Sequence, residues 1–97
     1  MRIIGKDILD ECMERHAEAR EQLKAWYEYV ERSNWTKPLD IIADCATARM
    51  ITNDRAVFNI KGRKYRVIVQ IDFKRGIVQV RFADSHSEYN RIDPTRI

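Results

Sequence analysis

The sequence predicts an α+β protein in which a helical first half packs on one face of an antiparallel sheet of three to four strands. Three observations carry that expectation. Apolar side chains recur at helical spacing as far as residue 32, and at strand spacing between Ala56 and Ser85. Two glycine-containing turns divide the second region into three short strands.

The length of 97 residues allows one modest core, so a single domain spanning 1–97 is expected. With 44% hydrophobic and 34% charged residues and few Gly or Pro, the composition excludes disordered and fibrous classes. No apolar run approaches a membrane span, and the opening MRIIGKDILDE meets acidic residues at once, unlike a signal peptide. Cys12 and Cys45 lack metal-ligand spacing and read as buried free thiols, so a cytoplasmic location and no membrane partner are expected.

Arg2-Ile3-Ile4 is a short β-like run ended by Gly5. From Lys6 to His16, Ile8/Cys12 and Leu9/Met13 stand four apart while acidic residues take the other sides. Ala19, Leu23, Trp26, Tyr27 and Val30 then form one stripe within Ala17 to Arg32, which predicts a helical hairpin breaking near His16–Ala17. Ser33-Asn34 stops the second helix. Residues 35–40 read as an irregular connection, and Ile41 to Ala48 as a helical turn or two capped by Asp40. Asn53-Asp54 is a turn that leads into the strands.

Alternation then sorts the strand side chains. Phe58 and Ile60, then Tyr65, Val67, Val69, Ile71 and Phe73, then Val78, Val80 and Phe82 face the helices. The turns must preserve these faces, so two-residue turns at Gly62-Arg63 and Arg75-Gly76 are expected. That register sets Asn59 opposite Arg66, Gln70 opposite Arg81 and Ser85 beside Arg66. The outer face then carries Asn59, Arg66, Gln70 and Arg81, rimmed by Lys61, Arg63, Lys64, His86 and Tyr89.

Charge points to the same face. Residues 1–54 carry 8 Lys and Arg against 11 Asp and Glu, whereas residues 55–97 carry 10 against 4, so the net +3 is a −3 half and a +6 half. A segregated basic half suits a polyanionic ligand. Arg66 and Arg81 interrupt apolar strands on one side, and guanidinium forks match phosphate oxygens in two-point contacts. Lys61, Arg63 and Lys64 read as a turn lying against a nucleic-acid backbone. His86 and Tyr89, three apart, share one face of a short helical turn, where an imidazole offers acid–base chemistry and a phenol a proton or a stacking ring. His16 reads as a helix-surface residue, Trp26, Tyr27 and Trp35 as core, and Asp72 and Asp84 as lone carboxylates. No metal-ligand pairing, Gly-rich phosphate loop or Ser/Cys nucleophile motif appears, so no cofactor is expected. RNA cleavage fits such a set because RNA carries its own nucleophile, the 2′-hydroxyl.

The ordered residues Ala25-Trp26-Tyr27, Trp35-x-x-Pro38-x-Asp40-Ile41, Phe58-Asn59-Ile60-x-Gly62-x-x-Tyr65-Arg66-Val67-Ile68-Val69, Val80-Arg81-Phe82 and His86-x-Glu88-Tyr89 resemble the HigB toxin family of the RelE/ParE superfamily. The resemblance runs from about the second helix to Asp93. It implies a RelE-like fold, two N-terminal helices on one face of a three- to four-stranded antiparallel sheet with a short C-terminal helical turn. It also implies a ribosome-dependent mRNA endoribonuclease that inhibits translation and growth, with a helix-turn-helix antitoxin of the HigA type as partner. By position, Arg66 and Arg81 would hold the phosphate, His86 and Tyr89 would serve proton transfer or base stacking, and Asn59 would position the sheet or substrate. Arg63 and Asn90 depart from the Asn and Asp expected at those positions, the first adding charge to the rim. A gyrase-inhibiting ParE-like toxin and a non-catalytic double-stranded-RNA-binding module are the competing expectations.

Overall fold

Helix α1 (Lys6–Arg15) is launched from a short strand, β1 (Arg2–Ile4), through Gly5, in a computed structural model that describes residues 1–97. Gly5 has φ 89°, and a Cβ there would stand 2.8 Å from the Val80 carbonyl oxygen, so only glycine lets the chain turn this close to the sheet. The helical hairpin breaks at His16 (φ −131°, ψ 75°), and a 3-10 turn, Ala17–Ala19, leads into α2 (Arg20–Arg32). The expected stripe is the buried one: Ala19, Leu23, Trp26 and Val30 are all inside, with Tyr27 half-buried.

The third helix starts earlier than its spacing indicates. Helix α3 spans Pro38–Asp44, with proline in its first turn, where a missing N–H costs nothing. Asp40 therefore lies inside the helix and is not its cap; its carboxylate reaches back to accept from the Thr36 amide at 2.9 Å and hydroxyl at 3.1 Å. The sheet has five strands in the order β1-β5-β4-β3-β2, with β2 at Arg49–Met50, β3 at Arg55–Ile60, β4 at Tyr65–Asp72 and β5 at Ile77–Ser85. Its three long strands are antiparallel as expected, whereas β1 adds to the edge of β5 in parallel and β2 extends the other edge. Helix α4 (His86–Tyr89) closes the chain's last turn.

The first hairpin has the expected register. Asn59 pairs with Arg66, Lys64 N–H donates to Lys61 C=O, and Gly62 takes the left-handed φ of 68°. The second differs twice. Asp72 pairs with Ile77, so the turn is centred on Lys74-Arg75 rather than on Arg75-Gly76, with Asp72 Oδ1 accepting from the Arg75 amide at 3.0 Å. A bulge then adds a residue to β5, because Ile68 pairs with Phe82 but Val69 with Val80, leaving Arg81 unpaired. Gln70 accordingly faces Gln79 instead of Arg81, and Arg66 faces Asp84 instead of Ser85. Past the bulge the faces exchange. Phe82, expected inside, joins the outer face, and Ala83 enters the main core at 3% exposure.

The main core lies between the helices and the inner sheet face and includes Leu9, Cys12, Leu23, Trp26, Val30, Trp35, Phe58, Val67, Val69 and Val80. Phe58 is its aromatic centre, edge-on to Trp26 at 5.4 Å and stacked with Trp35 at 5.9 Å. The Trp35 indole N–H finds Asp44 Oδ2 at 2.9 Å. Cys12 and Cys45 are free thiols, and burial is the main cause that pushes Cys12 up to about 11. No helix is long and apolar enough to cross a membrane.

Candidate nucleic-acid interface

The outer sheet face is basic, but it is not one open surface. Its centre is a second, small apolar cluster of Val57, Ile68 and Tyr89, with Phe82, Ile92 and Ile97 packed on it. Ile68 is fully buried there, although alternation places it on the side away from the helices. The chain after β5 folds back over this face and divides the predicted residues into groups.

Arg66, His86 and Tyr89 come together. The Arg66 guanidinium lies over the Tyr89 ring at 4.5 Å, and the rings of His86 and Tyr89 are 6.3 Å apart. Arg66 Nε is buried without an acceptor. Tyr89 is 8% exposed, with Arg66 over its ring and Phe82 edge-on at 6.3 Å, so its ring is a seat for the guanidinium rather than a free platform for a base. Helix α4 is positioned by one local bond and one to the residue just before β4. Ser85 Oγ accepts from the Glu88 amide at 3.3 Å, and the His86 amide donates to Lys64 C=O at 2.9 Å. Asn90 Nδ2 stands 3.2 Å from His86 Nδ1. When that amide donates, the neutral imidazole carries its proton on Nε2. His86 lines an open groove of about 530 Å³ with Arg63, Lys64, Tyr65, Ser85 and Ser87.

Arg81 and Gln70 lie apart from this group. Arg81 Nε donates to the backbone oxygen of Ile97 at 3.0 Å, and Arg55 donates to the same oxygen at 2.8 Å and to Pro94 C=O at 3.1 Å. Gln70 Nε2 donates to Asp54 Oδ2 at 3.1 Å, and this bond with that of Thr52 holds the Asp54 carboxyl below its usual range. Lys61 and Lys64 are directed to the helical side, where Glu18 Oε2 meets them at 3.7 Å and 3.2 Å. Tyr65 donates its hydroxyl to Glu18 Oε1; that bond is the main cause that pushes the phenol up to about 12 and holds Glu18 low.

Asn59 donates its amide to Thr47 C=O at 3.2 Å, with its Oδ1 buried and unpaired. Around it is a cleft of about 220 Å³ lined by Thr47, Arg49, Val57, Asn59, Arg63 and Arg66. Arg63 lines both this cleft and the His86 groove, which joins them along one edge of the sheet.

The sequence reading omitted Arg49 and Arg55. A signal for Arg49 was present: Asn53-Asp54 is a turn, and a strand leaving a turn has a partner that enters it. His16 is also no plain surface residue. It stands 2.9 Å from Asp84 Oδ1, and Arg15 donates to Asp84 Oδ2 at 3.0 Å, so Asp84 is not a lone carboxylate. Burial opposes ionisation of Asp84, but the Ser85 amide, His16 and Arg15 together hold its carboxyl below the ordinary range.

A helical hairpin on one face of an antiparallel sheet, with a basic opposite face closed by a C-terminal turn, defines a small α+β toxin of the RelE-like class. The chain belongs to the HigB toxin family, the RelE-like toxic component of a toxin-antitoxin system, whose family model matches residues 19–92. No curated protein matches the chain. Membership implies an antitoxin partner. The matched span begins at Ala19 and so includes every residue of the two clefts but neither β1 nor α1.

Proposed function

We propose that residues 1–97 act as one toxin domain that cuts translated mRNA on the ribosome by metal-independent 2′-hydroxyl attack. Its antitoxin is a helix-turn-helix protein of the HigA type, and its site of action is the cytoplasm. The observation that carries this reading is the Arg66 guanidinium, seated on Tyr89 beside His86 with an unpaired Nε–H.

The 2′-hydroxyl, giving its proton to solvent water, attacks the adjacent phosphorus, the bond to the 5′ oxygen breaks, and the products are a 2′,3′-cyclic phosphate and a 5′-hydroxyl. Negative charge grows on the non-bridging oxygens as the phosphorane forms. Arg66 is the group that meets it, with a planar fork whose orientation the Tyr89 ring maintains. His86 acts in its imidazolium form: its Nε2–H passes to the departing 5′ oxygen and leaves a neutral ring, which the Asn90 side-chain amide beside Nδ1 orients. Tyr89 acts through Arg66 and is a positioning residue. Arg63 supplies charge where the strand enters. In this conformation Arg81 is held by Ile97, so the phosphate falls to Arg66, and Arg81 contributes field from farther down the face.

The test is to induce the chain in a bacterial host without its antitoxin and map the 5′ ends of one message in translated and start-codon-less forms. Cleavage of the translated form alone, lost in Arg66→Ala and His86→Ala, is expected. Growth arrest with intact messages would overturn the proposal, and DNA breaks traced to gyrase in those cells would assign the chain to the ParE-like class.

A further inference from the structure

The cleft beside Asn59 has a composition that the catalytic group does not account for. Three arginines, Arg49, Arg63 and Arg66, line a cleft of about 220 Å³, and no carboxylate lines the space. Salt bridges take up Arg15, Arg75, Arg91 and Arg96 elsewhere on the chain, but none engages these three. Arg66 Nε is also a buried donor with no acceptor. Three like charges around one small cleft repel each other, and a buried unpaired donor carries a desolvation penalty. An anion that enters relieves both.

The local fold builds this arrangement. Arg49 comes from β2, a two-residue strand that pairs with Ala56 and Val57. The Asn59 amide, by donating to Thr47 C=O, ties the entry of β2 to the end of β3 and so sets where Arg49 stands. Arg63 comes from the β3–β4 turn, and Arg66 from β4 directly across from Asn59. Three separate segments thus contribute one arginine each.

We propose that Arg49, Arg63 and Arg66, seated on Asn59, form a subsite for a backbone phosphate of single-stranded RNA, next to the phosphate that is cut. This deepens the proposed function by adding a second phosphate contact, with Arg49 as its distinguishing ligand and Asn59 as a positioning residue. Arg63, common to both clefts, sets the path of the strand from this subsite to His86. The subsite reads phosphate and not base, so it contributes register and affinity without sequence preference.

The probe is a fluorescein-labelled RNA hexanucleotide, fully 2′-O-methylated so that it cannot be cut, titrated by anisotropy over a range of salt. Each single-strand phosphate contact contributes roughly 0.7 to the slope of log affinity against log salt. Arg49→Ala should lower that slope by about 0.7 and weaken binding about 5- to 10-fold at low salt. Arg49→Lys should recover the slope but only part of the affinity, since the charge returns without the fork. Arg75→Ala, in the β4–β5 turn, should change neither value. Arg49 is exposed, so the alanine variant keeps the fold, as circular dichroism will check. The subsite is overturned if Arg49→Ala and Arg75→Ala behave alike. Because the probe cannot be cut and no ribosome is present, loss of mRNA cleavage as a function would leave this result standing, and the reverse also holds.

Discussion

The Arg66 guanidinium sits 4.5 Å from the centroid of the Tyr89 ring, and the two residues come from β4 and from the helical turn after β5. Tyr89 is at once the largest side chain of the outer apolar cluster and the seat of the proposed phosphate ligand. Stability and chemistry are therefore coupled at one ring, and substitutions there can separate them. Tyr89→Phe keeps the ring, so melting temperature should stay within a few degrees and cleavage should fall less than 10-fold. Tyr89→Ala uncovers Ile68 and Val57 and should cost about 3 kcal/mol in urea denaturation, with cleavage lost more than 100-fold. A Tyr89→Phe variant as inactive as Tyr89→Ala would give the hydroxyl a direct role.

Arg66→Lys should reduce cleavage by about 100-fold while leaving the unfolding free energy in urea within about 0.5 kcal/mol of wild type, because the charge survives but the two-point geometry does not. Single-turnover kinetics on ribosome-bound message will separate this from weaker binding. Activity equal to wild type would mean that Arg66 acts only through its charge.

The core prediction concerns Phe58, which contacts Trp26 and Trp35 at 3% exposure. Phe58→Ala should destabilise by about 3–5 kcal/mol, a large share of the stability of a chain this size. Chemical denaturation followed by tryptophan fluorescence reads it directly, since both indoles report on the same contact.

The bulge at Arg81 makes a paired prediction. Phe82 is half-buried on the outer face, and Ala83 is 3% exposed within the main core. Phe82→Ser should therefore cost only about 1–2 kcal/mol, and Ala83→Leu about 1–3 kcal/mol through overpacking. Strict alternation without a bulge predicts the opposite order, with Phe82→Ser severe and Ala83→Leu nearly neutral. Denaturation midpoints of the two variants decide between them.

Acid stability should depend on Asp84. Its folded carboxyl is held below the ordinary value, so its contribution is complete above the unfolded pKa, near 4, and is lost as pH falls through the folded value. Between pH 6 and pH 2.5 the wild type should lose about 1 kcal/mol more stability than Asp84→Asn, a modest figure because the partner Arg15 is half exposed. Parallel pH profiles for the two proteins would remove Asp84 from the acid response.

Much of this molecule was determined by local periodicity. The helical stripe through Ala19, Leu23, Trp26 and Val30, the alternation through Tyr65, Val67, Val69 and Ile71, and the Gly62 turn each depend on residues close in sequence. These set the fold class, the inner face and the pairing of Asn59 with Arg66. What tertiary structure alone decided concerns distant partners. The bulge at Arg81 reversed Phe82 and Ala83, because one unpaired residue changes the parity of every side chain beyond it. The returning chain placed Ile92 and Ile97 on the cluster of Val57, Ile68 and Tyr89, which closed the centre of a face that alternation leaves open, and it engaged Arg81 through Ile97. Arg49 entered the basic cleft through a two-residue strand held by pairing to Ala56 and Val57, too short to carry a period of its own. Such contacts join residues that stand apart in the sequence, Arg81 and Ile97 by 16 positions, and their geometry is set by packing that no local pattern encodes.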